Sequence, residues 1–252
     1  MKIAIITGAS SGLGKEYTKA VYNMYPKLQQ IWVIARRKDR LEELKENLGE
    51  KIRPLAFDIT DDDAIDSLSE LLKAEKAEVK LLINNAGYGK LGNFEELSRE
   101  DNVGMIELNC CALTAITAVA LPFMSKNSEI INTCSIASFA PNTRLATYSS
   151  TKAFVMSLSR ALRLELKKRK INVLAVCPGP METEFLSVAN ITKGASKTFD
   201  TLPMVNPQVM AVKSLKASKR KKAVYTNRFL YKFFRLIAKF LPKSIVMKIC
   251  GA

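Results

Sequence analysis

Ile3-Ala4-Ile5-Ile6-Thr7-Gly8-Ala9-Ser10-Ser11-Gly12-Leu13-Gly14 opens the chain with a short apolar run that ends in a glycine-rich turn. The turn leads directly into helical periodicity over residues 13–24. An apolar residue at nearly every position marks a strand buried on both faces, the environment of a parallel sheet covered by helices. Glycines after such a strand allow a tight turn and let backbone N–H groups approach a pyrophosphate at the N-terminus of the next helix. The spacing here is G-x-x-x-G-x-G, and no Lys followed by Ser or Thr completes a P-loop, so nucleoside triphosphate chemistry is disfavoured.

Outward from that stretch the same grammar repeats. Apolar runs at residues 31–35, 52–57, 79–84, 129–134 and 171–177, with a weaker one at 223–226, alternate with helical patterns. The helical patterns cover residues 39–48, 61–76, 99–121, 148–169 and 207–216. This alternation predicts an α/β fold: a Rossmann-type, doubly wound parallel sheet of about seven strands with helices on both faces. A length of 252 residues fits a single domain of this kind, and 48% hydrophobic against 25% charged residues argues against wholesale disorder.

Composition then removes chemistry. There is no histidine, which excludes Ser-His-Asp and Cys-His catalysis, the HExxH zinc motif and mixed Cys/His zinc sites. No metal site is expected, and proton transfer falls to Tyr, Lys, Asp, Glu or Cys. The five cysteines (Cys110, Cys111, Cys134, Cys177 and Cys250) show no C-x-x-C spacing. Their apolar settings predict reduced, buried thiols of a cytoplasmic protein. No signal peptide is expected before the first strand, and no apolar run approaches the roughly 18 residues of a spanning helix. The net charge of +15 suits anionic partners: a cofactor, a substrate, nucleic acid or a membrane surface.

Two further stretches point to a nicotinamide cofactor. A dinucleotide fold specific for NAD usually carries an acid at the end of the second strand to bind the ribose hydroxyls. This chain has Arg36-Arg37 there. A guanidinium binds a 2′-phosphate through charge-assisted hydrogen bonds, so the expectation is NADP(H), with NAD(H) as a secondary partner. Arg36 is the main contact in this reading and Arg37 an auxiliary one. Further on, Tyr148-Ser149-Ser150-Thr151-Lys152 opens a helix and sets Tyr148 and Lys152 on one face near its positive end. An ammonium and a helix N-terminus both favour the phenolate, which predicts a phenol of lowered pKa able to exchange a proton with an alcohol or carbonyl oxygen.

The chain resembles the short-chain dehydrogenase/reductase family from residue 1 to about 226. The family's motifs occur in order: Thr7-Gly8-x-x-x-Gly12-x-Gly14, Asp58-Ile59, Asn84-Asn85-Ala86-Gly87, Asn109, Ser135, Tyr148-x-x-x-Lys152, and Pro178-Gly179 with Thr183. The resemblance implies a catalytic set of Asn109, Ser135, Tyr148 and Lys152. It implies that Ser135 polarises a carbonyl oxygen, Tyr148 protonates it, and Lys152 lowers the phenol pKa and binds the nicotinamide ribose. Asn109 would hold a water linking Lys152 to solvent. Cofactor contacts are implied for Gly8, Ser10, Ser11, Gly12, Leu13, Gly14, Arg36, Arg37, Asp58, Ile59, Asn85, Ala86, Gly87, Tyr148, Lys152, Pro178, Gly179 and Thr183.

Alternatives stand beside several of these. Ser138 is a second hydroxyl close to Ser135, Asn109 reads also as a structural amide, and Asn84-Asn85-Ala86 as a turn that satisfies its own backbone. A Ser–Lys hydrolase from Ser135 and Lys152 would leave the glycine turn and Arg36 unexplained. Residues 184–206 lose their period and carry Phe185, Leu186, Val188, Phe199, Leu202 and Met204, as a lid over a hydrophobic carbonyl or alcohol substrate would.

The tail, residues 227–252, departs from the shortest family members. Asn227 is expected to cap a helix starting at Arg228, on which Arg228, Lys232, Arg235 and Lys239 share one stripe beside Phe229, Leu230, Phe233, Phe234, Leu236, Ile237 and Phe240. Pro242 would end it, with one more helical turn over residues 244–250. Such a helix packs on the body or on a second subunit, lies on an anionic membrane, or forms a rim to a lipophilic substrate entrance. A membrane-peripheral NADP(H)-binding protein with little catalysis is therefore the second functional reading. Nucleic acid binding is not expected, since no base-reading motif appears. A homodimer or homotetramer through the long helices at 99–121 and 148–169 is implied by the family.

Overall fold

In the computed structural model, which describes residues 1–192, 194 and 196–250, seven parallel strands form one sheet in the order β3-β2-β1-β4-β5-β6-β7. The strands are β1 (Lys2–Thr7), β2 (Gln30–Ile34), β3 (Ile52–Leu55), β4 (Glu78–Asn84), β5 (Met124–Thr133), β6 (Asn172–Val176) and β7 (Val224–Tyr225). Connections run one way from β1 to β3 and the other way from β4 to β7. The switch therefore falls between β1 and β4, where a doubly wound sheet opens its ligand crevice.

The helices are α1 (Gly12–Met24), α2 (Lys38–Leu48), α3 (Asp62–Ala74), α4 (Arg99–Ile106), α5 (Leu113–Ala120), α6 (Ala146–Glu165), α7 (Glu184–Val188), α8 (Lys197–Thr201), α9 (Pro207–Lys219), α10 (Phe229–Phe240) and α11 (Lys243–Cys250). The two-residue pleat of β1 divides the core between the faces. Ala4 and Ile6 pack with Leu13, Tyr17 and Val21 of α1 and Met210 and Leu215 of α9. Ile3 and Ile5 pack on the other face with Leu68 and Leu72 of α3 and Ile116 of α5. The buried Tyr17 hydroxyl bonds Ser214 Oγ at 3.0 Å and joins α1 to α9.

Three local expectations need correction. The helix expected at 99–121 is continuous but changes winding: α4 passes through a π-helical turn, Glu107–Ala112, into α5 and a last 3₁₀ turn, Leu121–Phe123. By length and composition this Arg99–Phe123 helix is apolar enough to cross a bilayer, against the expectation that no run approaches that length. Ala112, Ile116 and Ala120 are nevertheless packed on the sheet as a core helix requires. Second, Asn227 is not the cap of α10. Arg228 stands there with φ of +50°, and Asn227 Oδ1 is buried without a hydrogen-bond partner. Third, Cys110, Cys134 and Cys177 are buried free thiols, whereas Cys111 is exposed on the outer side of the π turn. The Cys250 side chain lies outside the described residues.

The tail is held to the domain by Tyr231 and Phe234 on one face of α10 and by Arg228 at its start, whose Nη2 donates to the Met204 carbonyl at 2.6 Å. Tyr231 belongs to the core shared by α1 and α9, and the Phe234 ring meets Phe139 at a centroid distance of 5.8 Å. Between β6 and α9 the chain is pinned by a parallel bridge from Met181 to Val205, and the aperiodic segment between carries the short helices α7 and α8.

Candidate active site

A cleft of about 990 Å³ follows the carboxyl edge of the sheet across the switch between β1 and β4. Its floor is the glycine turn. Gly8 has φ of +65°, and a Cβ there would come 2.8 Å from Ala86 Cα, so the turn closes on the exit of β4 only without a side chain. Thr7 Oγ1 accepts from the backbone N–H groups of Asn85 (3.0 Å) and Ala86 (3.1 Å). Asn85 Nδ2 in turn donates to the carbonyls of Thr7 (3.3 Å) and Gly8 (3.4 Å). No side chain caps α1, whose N–H groups therefore remain available to an anion, and Ser10, Ser11, Gly12 and Leu13 line the cleft beside them. Gly14 does not line it. A Cβ at Gly14 would overlap the Gly8 carbonyl oxygen, so this glycine serves the packing of the turn itself.

Two arginines and an acid frame one end. Arg37 Nη2 donates to Glu184 Oε2 at 2.7 Å and to Ser10 Oγ at 3.1 Å. Arg36 is largely exposed and meets Asp58 only at 3.9 Å. Partial burial pushes the Asp58 carboxyl up, but the hydroxyl and amide of Thr60, with Arg36 behind them, hold it below its usual value. Asp58 and Ile59 line this end of the cleft; Asn85, Ala86 and Gly87 line its middle. The donor set fits a dinucleotide that carries a further phosphate on its adenosine ribose: uncapped amides for the pyrophosphate, a carboxylate for the base, and guanidinium groups for the extra charge.

The other end holds Ser135, Tyr148 and Lys152, all buried. Tyr148 and Lys152 lie in the first two turns of α6, and the Lys152 ammonium is 5.8 Å from the centre of the Tyr148 ring. Lys152 Nζ donates to the Thr133 carbonyl at 3.0 Å. Ser135 Oγ accepts from the Ala137 amide at 3.1 Å, and the same hydroxyl acts on the Tyr148 phenol to lower its pKa. The neighbouring hydroxyl is engaged elsewhere: Ser138 Oγ donates to the Ser135 carbonyl at 2.6 Å, and Ser138 does not line the cleft. Of the two serines, Ser135 is the one that lines the cleft.

The expected electrostatics of the phenol are reversed. Burial pushes Tyr148 up to about 12, with the hydrogen bond to Ser135 pulling the other way. Burial likewise holds Lys152 below the usual lysine range. Desolvation disfavours the charged form of each group and is the largest cause of both shifts.

Asn109 is brought to the rim of this cluster without lining the cleft. It sits in the π turn, where its Oδ1 accepts from the Tyr88 amide (3.0 Å) and its Nδ2 donates to the Tyr88 carbonyl (2.8 Å) and Thr151 Oγ1 (3.0 Å). These bonds tie the strand exit above Lys152 to α6. Pro178, Gly179 and Thr183 do line the cleft. Thr183 also caps α7, accepting from the Phe185 amide at 3.3 Å.

Sequence reasoning missed part of the wall. Tyr88, Asn142, Leu145 and Tyr231 line the cleft from positions that no motif assigned, and Leu230 and Phe234 bring the tail to its wall. Gly179 carried the one available signal, a small residue where the tail comes close. A Cβ there would overlap the Tyr231 ring, whose hydroxyl donates to the Pro203 carbonyl at 2.7 Å.

With that geometry in place, comparison with known proteins gives its class. The family model described as short chain dehydrogenase matches residues 2–194, and the chain belongs to this family of oxidoreductases. An NADP-dependent 3-hydroxy acid dehydrogenase of Schizosaccharomyces pombe is 37% identical over 192 residues, 73% of either chain. A fatty acyl-CoA reductase of Acinetobacter baylyi is 33% identical over 199 residues, 76% of this chain and 66% of its own. Among solved structures, a short-chain dehydrogenase from Sphingobium yanoikuyae in complex with NADPH superposes with a TM-score of 0.77 at 28% identity, covering 96% of this chain and 97% of its own.

Proposed function

We propose that this protein is an NADP(H)-dependent reductase of a hydrophobic ketone, aldehyde or ketoacyl compound, working equally as the dehydrogenase of the matching alcohol. The observation that carries the reading is the convergence of Ser135, Tyr148 and Lys152 at one end of a cleft whose other end is framed by Arg36 and Arg37. When bound, the nicotinamide supplies or takes the hydride. Arg36 and Arg37 hold the 2′-phosphate, the open amides of α1 the pyrophosphate, and Lys152 the nicotinamide ribose. Ser135 donates to the substrate oxygen and, with Tyr148, orients it between buried side chains. Tyr148, protonated at neutral pH, delivers its proton to that oxygen during reduction and retrieves one from the alcohol during oxidation. Leu145, Phe185, Leu186, Val188, Phe199 and Leu202 supply an apolar wall beside this point, which supports a hydrophobic substrate.

The test is a screen of NADPH oxidation against ketones, aldehydes and β-ketoacyl thioesters, run beside Tyr148→Phe. Loss of the phenol is expected to lower turnover by about 10²–10⁴-fold while NADPH affinity is largely kept. Turnover that survives the substitution would remove Tyr148 from the chemistry. The second reading, a cofactor-binding protein with little catalysis, predicts no turnover on any of these compounds in either form. Val103, Ile106 and Phe154 are exposed on α4 and α6 and support a homodimer or homotetramer built on those helices.

A further inference from the structure

The tail carries a surface that the reaction does not use. On α10, Phe229, Phe233, Leu236 and Phe240 recur at four, three and four, and so share one face. Arg228, Lys232, Arg235 and Lys239 follow the same spacing one residue earlier and form a parallel row beside it, Arg228 also donating to the Met204 carbonyl at 2.6 Å. The members of both rows are exposed, Phe229 at 82% and Phe240 at 71%. Tyr231 and Phe234 lie on a third face, turned into the domain. From Thr201 to the C-terminus there are twelve Lys and Arg and not one Asp or Glu. An open aromatic row beside a cationic one is a feature soluble surfaces avoid unless something covers it.

We propose that this face of α10 docks on an anionic lipid bilayer, with the apolar row entering the acyl boundary and the basic row reaching the headgroup phosphates. The charge pattern favours this occupant. A second copy seated face to face would bring two cationic rows together without any acid from this segment to compensate. A nucleic acid offers phosphates but no apolar phase for the exposed rings. Because Leu230, Tyr231 and Phe234 on the inward side of the same helix line the cleft, docking brings one wall of the cleft up to the membrane, from which an apolar substrate is then supplied. That consequence rests on the proposed substrate class; the docking itself does not.

The experiment is co-sedimentation of the full chain with vesicles of phosphatidylcholine alone and of phosphatidylcholine with phosphatidylglycerol. Binding is expected to the anionic vesicles and to weaken with salt. Phe233→Ser with Phe240→Ser should lower partitioning at least about tenfold. Lys232→Gln with Arg235→Gln and Lys239→Gln should lower it about a hundredfold. None of these residues lines the cleft, so NADPH turnover on a soluble substrate should persist in both variants and certifies their fold. Failure of the wild-type chain to bind anionic vesicles overturns the proposal, as does binding by both variants at the wild-type level. A shift from dimer to monomer in the phenylalanine variant, with vesicle recovery absent, would assign the face to a second copy. Retention on RNA without retention on vesicles would assign it to nucleic acid. Since turnover and sedimentation are read separately, the docking and the reductase reading stand or fall apart.

Discussion

Burial and hydrogen bonding pull the Tyr148 phenol in opposite directions, and burial prevails, leaving it near 12. A phenol protonated across the neutral range is ready to donate, so reduction should be flat with pH there. Oxidation needs the phenolate, whose fraction rises about tenfold per pH unit below the pKa. Ser135→Ala removes the hydrogen bond that lowers that pKa, so the phenolate fraction at a given pH falls. The alkaline rise of NADP⁺-dependent oxidation is therefore expected to move to higher pH. A pH profile of kcat checks this, and an unmoved limb would separate Ser135 from the phenol. Asn109 teaches a different lesson at the same scale. Its amide bonds the Tyr88 backbone and Thr151 Oγ1, contacts that spacing in the chain does not reveal.

At the level of elements, the tail and the loop after β6 are fitted to each other. Gly179 meets the face of Tyr231, and Tyr231 closes on the Pro203 carbonyl at 2.7 Å. Gly179→Ala would force the ring outward, an overpacked contact of the kind that costs about 1–3 kcal/mol. Tyr231→Phe keeps the packing and loses one hydrogen bond, about 1 kcal/mol. Denaturant midpoints at constant slope should rank wild type above Tyr231→Phe above Gly179→Ala; equal midpoints would mean that α10 does not depend on this contact. A second junction joins α7 to the glycine turn, where Glu184 and Ser10 both engage Arg37. Through it the lid segment touches the group proposed to hold the cofactor phosphate.

For the molecule as a whole, cofactor binding is a stability term. Ligand present at ~100 times its Kd adds about 2.7 kcal/mol to the folded state, which for a chain of this size is roughly 5–10 °C in Tm. At equal concentration NADPH should therefore raise Tm more than NADH does. Arg36→Asp should cut the NADPH increment and spare that of NADH, since an acid repels a 2′-phosphate and suits free ribose hydroxyls. Thermal melts read the preference without any substrate, and an unchanged ranking in the variant would place the phosphate elsewhere.

The sheet, its seven strands and most of the cleft were legible in the chain because each is a local pattern. Apolar runs specify strands buried on both faces, glycine spacing specifies the turn, and a four-residue interval specifies one side of a helix. The reading of Arg36 and Arg37 belonged to the same class of evidence, charge at a strand end. What packing alone decided were relations between distant segments: Tyr231 against Gly179, Glu184 across to Arg37, Ser135 preferred over Ser138, and Asn227 denied its cap by the backbone of Arg228. The raised pKa of Tyr148 is the sharpest example. Proximity to Lys152 is written in their spacing, but desolvation depends on everything packed around both groups, and only the assembled fold sets how much water is left.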